Sequence, residues 1–121
     1  MDRAWHAEPG PPRDVALHQA RKAAKRARYA GEAVTPALGR QAARFTRQIK
    51  NVQSVLGDHQ DTVIARQAER QLGIEAYEAG ENSFTFGLLY ERESGDAREL
   101  RAQARKAWKK SSRPRYRNWL S

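Results

Sequence analysis

Asp14-Val15-Ala16-Leu17-His18-Gln19-Ala20-Arg21-Lys22-Ala23-Ala24-Lys25-Arg26-Ala27-Arg28-Tyr29-Ala30-Gly31-Glu32-Ala33-Val34 reads as one amphipathic helix. Successive residues of a helix are about 100° apart. At that spacing Ala20, Ala23, Ala24, Ala27, Ala30 and Val34 fall on one face. His18, Arg21, Lys22, Lys25 and Tyr29 fall within an arc of about 100° elsewhere, with Arg28 at its edge. An alanine face lets a neighbouring helix approach closely. A cationic face repels itself and asks for an anionic partner.

Outward from this stretch, Asp14 is suited to cap a helix that begins near Val15 and ends near Ala33, before Thr35-Pro36. Pro9-Gly10-Pro11-Pro12 reads as helix-breaking, so residues 1–13 are expected to be a flexible arm or linker. Pro36 suits the first turn of a second helix, 37–56, in which Leu38, Ala42, Phe45, Ile49, Val52 and Leu56 share a face. Gly57 is expected to end or bend it, and Asp58 to cap a third helix over 59–78 with Val63, Ile64, Ala68 and Leu72 inward. Ala79-Gly80-Glu81-Asn82-Ser83 is a turn. A last helix over 84–111 offers Phe84, Phe86, Leu88, Leu89, Leu100, Ala104 and Trp108, with a bend or break expected at Ser94-Gly95-Asp96. A basic tail follows, with Trp119 and Leu120 expected to dock back. No stretch alternates with the period of a strand. The expected fold is therefore all-α: an antiparallel bundle of four main helices over 14–121, the last bent or broken.

The 121 residues carry 23 Lys and Arg against 14 Asp and Glu, a formal charge of +9. The signs are segregated. Residues 16–57 hold nine cations against Glu32 alone, 58–97 hold three Arg against nine acids, and 98–121 hold nine cations against Glu99. A merely solvated surface would mix the signs. In the second helix Arg40, Arg44, Arg47 and Lys50 line up as the first row does, each row about 15 Å long. Like charges at these spacings destabilise an isolated helix by a few tenths of a kcal/mol per pair. A chain that tolerates this on two consecutive helices is expected to bind a polyanion, with a steep dependence on salt. Arg supplies a bidentate grip and Lys a point charge.

Several classes are disfavoured. Cysteine is absent, so neither disulfides nor a thiolate metal site is available, which fits a reducing compartment. The N-terminus has no apolar run of a signal peptide, and no stretch is long enough to span a bilayer. The expected location is the cytoplasm. No Gly-rich phosphate loop, Ser-His-Asp set or paired glutamates occur, so no enzyme activity and no cofactor or metal are expected. Asp58-His59-Gln60-Asp61 looks like a metal cluster. Its better reading is structural, with Asp58 as a cap and Asp61 paired to Arg28 or Lys25. His6 is expected to be exposed.

A family resemblance enters here. Leu17-His18-Gln19-Ala20-Arg21-Lys22-Ala23-Ala24-Lys25-Arg26-Ala27-Arg28-Tyr29 with Glu32 resembles the signature of the CHAD family, the conserved histidine α-helical domain. Val55-Leu56-Gly57-Asp58-His59-Gln60-Asp61 resembles its second hallmark. Phe84-Thr85-Phe86-Gly87-Leu88-Leu89 and Trp108 with Arg115-Tyr116-Arg117-Asn118-Trp119-Leu120 resemble its C-terminal region. The resemblance implies a helical bundle that binds inorganic polyphosphate through a basic groove, with localisation to polyphosphate granules. By motif position His18, Arg21, Lys22, Lys25 and Arg28 are its binding residues. Arg40, Arg44, Arg47 and Lys50 are added by phase and charge. Bound polyphosphate would favour the His18 imidazolium, so binding is expected to tighten as pH falls through about 6.5.

Family domains are usually about twice this long, with two related halves, and this chain resembles the C-terminal one. It is either a natural half-length protein or a fragment, and two copies pairing would rebuild a two-sided groove. Triphosphatase domains, rich in Glu-x-Glu, are often fused to the family, and no such segment occurs here. The alternative function is non-specific nucleic-acid binding, for which Arg113-Pro114-Arg115-Tyr116-Arg117 is suited. That reading lacks a groove-reading motif or an aromatic platform.

Overall fold

The computed structural model describes residues 2–117, with side chains from Ala4 onward. The described residues form α1 (Asp2–Trp5), α2 (Pro11–Leu38), α3 (Arg40–Glu78), α4 (Phe84–Ser111) and α5 (Pro114–Arg117). The all-α bundle expected from the periodicity is what forms. Its long members are three, because the segments expected at 37–56 and 59–78 are one helix of 39 residues.

The boundaries moved for identifiable reasons. Pro11 and Pro12 occupy the first turn of α2 rather than blocking it. Those positions have no intrahelical partner for an N–H, so the missing donors cost nothing. Asp14 therefore lies inside the helix, and its N–H bonds the Gly10 carbonyl at 3.1 Å. Pro36 sits in the last turn of α2 instead of opening the next helix. Gly39 makes the turn to α3 alone, at φ 68°, a conformation that only glycine adopts freely. Gly57 and Asp58 lie within α3, and α4 runs unbroken through Ser94-Gly95-Asp96. The turn after α3 fell as expected. Gly80 has φ 75°, its N–H reaches Tyr77 O at 3.0 Å, and Glu81 N–H reaches Ala76 O at 2.8 Å. This is a Schellman stop.

α2 and α4 each pack antiparallel on α3. Asp14 lies beside Arg66 and Arg21 beside Gly57, while Gly31 lies against Thr46. On the other flank His59 meets Arg101 and Gly73 meets Phe86. The core is thin. Leu17, Ile49, Val52 and Leu56 are fully buried, but Ala4, Ala20, Ala24, Ala42, Ala76, Ala97, Ala104 and Ala107 make up the rest of its well-buried positions besides Phe45 and Val63. Small side chains bring the backbones close and bury little area each, so the fold depends on close packing more than on bulk. Ala4 joins this core, and Trp5 packs against it. The expected docking of Trp119 and Leu120 lies outside the described residues.

At 1.5 Å per residue α3 is about 58 Å long and α2 about 42 Å. The far ends of α3 and α4 therefore continue as a two-helix hairpin beyond the start of α2. Leu72, Phe84, Leu88 and Leu89, expected inward, are exposed there, along with Ile74, Tyr77 and Tyr90, and Ile64, also expected inward, is exposed alongside the first turns of α2. Ala23, Ala30 and Ala68 are also exposed. No helix among the described residues is long and apolar enough to cross a membrane.

Candidate phosphate-polymer site

The α2 row stands mostly at the surface. Lys22 and Lys25 are exposed, while His18, Arg21 and Arg28 are half-buried. Arg21 lies over Gly57 of α3, where a Cβ would meet its Nε at 3.5 Å. The absent side chain leaves a shelf on which the arginine stem rests. Tyr29 supports two cations, with the Arg28 guanidinium 4.9 Å and the Lys25 ammonium 5.8 Å from its ring centre. Such contacts contribute roughly 0.5–1 kcal/mol at exposed sites and hold the charged ends in place. Arg28 also pairs with Glu32 at 3.4 Å. It does not pair with Asp61, which is exposed and in no ion pair among the described residues, and neither does Lys25.

Arg40, Arg44, Arg47 and Lys50 are all exposed along the first turns of α3. The antiparallel register places Arg28 level with Lys50. Arg44 and Arg47 have a further neighbour that their periodicity could not reveal. With Gln48 they line a cavity of about 490 Å³ whose other wall is Arg115 and Tyr116 of α5. Arg117 anchors that segment, its guanidinium 4.7 Å from the Trp108 ring and 5.9 Å from that of Phe45. Its Nε donates to Ser111 O at 3.1 Å. A tail that the sequence suited to the alternative, nucleic-acid binding, thus brings a fourth arginine to the α3 row.

His18 is one turn from Lys22 and is half-buried. It lines a recess of about 230 Å³ with Asp14, Val15, Gln60, Val63 and Gln67, and its Nδ1 is buried without a hydrogen-bond partner. The sequence placed His59 in the Asp58-His59-Gln60-Asp61 cluster but gave no sign of its partner. His59, 1 % exposed, accepts a hydrogen bond at its Nε2 from Arg101 at 3.3 Å. Arg66 faces Asp14 at 3.9 Å beside them. Burial, then Arg101, lowers the His59 pKa to about 4, with Asp14 opposing and Arg66 and Arg13 assisting. Arg101 is itself pushed down by burial and by Arg13 and Arg66. His59 is thus neutral, and the cluster ties α2, α3 and α4 together. Asp58 beside it caps nothing. The partners are 42 residues apart, and no local pattern links them.

The described residues thus define a basic helical bundle with two rows of outward-facing cations on adjacent antiparallel helices. The chain belongs to the CHAD family, whose model, described as "CHAD domain", matches residues 1–70. The likeness of residues 84–120 lies outside that match. The chain is 43% identical over 98 residues to "Uncharacterized protein MT2285" of Mycobacterium tuberculosis strain CDC 1551 / Oshkosh, and equally to "Uncharacterized protein Rv2226" of strain H37Rv. The aligned part covers 81% of this chain and 18% of either relative, so the chain spans less than a fifth of their length. No solved structure matches.

Proposed function

We propose that this chain binds inorganic polyphosphate and catalyses no reaction of its own. The binding residues are His18, Arg21, Lys22, Lys25 and Arg28 on α2 and Arg40, Arg44, Arg47 and Lys50 on α3, flanking a basic groove. The observation that carries this reading is the state of these cations. Among the described residues only Arg28 of the eight engages an acid, and Lys25 and Arg28 are braced by Tyr29. Seven charges left without acid partners on two adjacent helices are a standing cost that a linear polyanion relieves along its whole length. Family membership supports the same partner. The setting we infer is cytoplasmic, in association with polyphosphate granules. Two copies would face one cationic wall toward another, and a strictly monomeric species by light scattering at high concentration would exclude that pairing.

The test is a titration with long-chain polyphosphate, with duplex DNA and with heparin, at equal charge and about 0.15 M salt. Selective, tight binding of polyphosphate supports the proposal. Equal, weak binding of all three would leave only a generic response to the +9 charge. The triple variant Arg21→Glu, Lys25→Glu, Arg44→Glu should abolish polyphosphate binding. It should spare any DNA binding driven by Arg113, Arg115 and Arg117.

A further inference from the structure

The α3–α4 hairpin that overhangs α2 is unlike the rest of the molecule. Seven of the eleven large apolar side chains exposed among the described residues lie between Leu72 and Tyr90. The same region is acidic: residues 69–96 carry Glu69, Glu75, Glu78, Glu81, Glu91, Glu93 and Asp96 against Arg70 and Arg92. Ile74, Tyr77, Phe86 and Tyr90 line a groove of about 600 Å³, rimmed by Glu69, Glu78 and Arg70.

The groove has a direction. Arg66 reaches Asp14 in the first turn of α2, and Arg70, one turn along α3, already lines the groove. The groove thus opens where α2 stops, in line with the surface of α3 that α2 covers. That surface already holds one helix with an apolar face and cationic flanks. From Glu69 to Glu78 it continues for about 15 Å, the length of nearly three helical turns.

The groove also carries an unmet polar demand. Oε2 of Glu69 is buried without a hydrogen-bond partner. Burial, and then the neighbouring Glu93, push the Glu69 carboxyl above its ordinary range, with Arg66 opposing them. A carboxylate pair beside apolar walls calls for a cation delivered on an apolar support.

We propose that this groove is the docking site of a basic amphipathic helix of about three turns, whose apolar stripe seats between Ile74, Tyr77, Phe86 and Tyr90 and whose Lys or Arg meets Glu69 and Glu93. The partner has the opposite charge to the polyanion proposed for α2 and the first turns of α3, and docks at the other end of α3. The two sites are independent, and this one stands if polyphosphate binding fails.

The experiment titrates the whole chain with a synthetic amphipathic Leu/Lys helix of three to four turns and with its Leu/Glu counterpart, reading Tyr77 and Tyr90 by NMR. The expected result is saturable binding of the Leu/Lys peptide alone. Ile74→Asp and Phe86→Asp should each weaken it about tenfold or more, and Glu69→Gln several-fold. Ile74 is 41% exposed, so its variant leaves the core intact, and an unchanged melting curve checks this. Binding of both peptides alike, or Leu/Lys binding indifferent to Ile74→Asp, overturns the proposal. So does a dimer in light scattering that Ile74→Asp dissociates, since the groove would then belong to a second copy.

Discussion

Arg101 of α4 donates a hydrogen bond to Nε2 of His59 on α3 across 3.3 Å, joining a half-buried cation to a fully buried imidazole. The bond requires a neutral imidazole with its proton on Nδ1. Protonating His59 would replace an acceptor with a positive charge facing a guanidinium.

A pH dependence of stability follows. The pKa of His59 is about 4 when folded and 6.5 by its ordinary value. Between these values the unfolded chain binds the proton that the folded chain refuses, so stability is full above about pH 6.5 and declines toward pH 4. A shift of this size amounts to about 3 kcal/mol. Urea melts at pH 7 and pH 4.5 should show most of that loss, and His59→Gln should flatten the decline. An acid limb unchanged in the variant would remove His59 as its cause.

Gly31 is set by contact. A Cβ there would collide with the Thr46 hydroxyl of α3. Alanine in place of glycine ordinarily strengthens a helix by about 1 kcal/mol. Here the clash should win, and Gly31→Ala should cost about 1–3 kcal/mol. The Thr46 hydroxyl is buried and has no hydrogen-bond partner, so Thr46→Ala should recover much of the loss in the double variant. A thermal-melt cycle with strictly additive effects would disprove the contact.

Gly57 makes the opposite case. A Cβ there meets only the Arg21 side chain, at ordinary contact distance from 3.5 Å. Gly57→Ala should therefore raise stability by roughly 0.5–1 kcal/mol, the usual gain inside a helix. Loss of stability in chemical denaturation would mean that the glycine serves more than the arginine shelf.

The cavity between α3 and α5 gives a binding prediction. If Arg115 acts with Arg44 and Arg47, Arg115→Ala should weaken polyphosphate binding about as much as Arg44→Ala does. Each should lower the slope of log K against log salt by about 0.7, the value for one phosphate contact on a single strand. An unchanged slope for Arg115→Ala would confine the site to α2 and α3.

The all-α class, the stop at Gly80 and the two cationic rows were legible in the residues alone, because helical period and turn chemistry are local properties. The sequence also held the charge segregation, a matter of counting. Its boundary errors were at Pro11, Pro36, Gly57 and Gly95, residues whose preference against a helix interior fixed no boundary where it was expected. Pro11 met no obstacle in a first turn, and Gly57 was absorbed into a long helix with Arg21 packed over it. Tertiary structure alone decided that His59 is buried against Arg101, that Asp14 faces Arg66, that Arg115 joins Arg44 and Arg47, and that the α3–α4 tip is bare. Each of these depends on segments far apart in the chain, and on the lengths by which α2 and α3 differ. A periodic pattern says which face is apolar. Only packing says whether another helix is there to cover it.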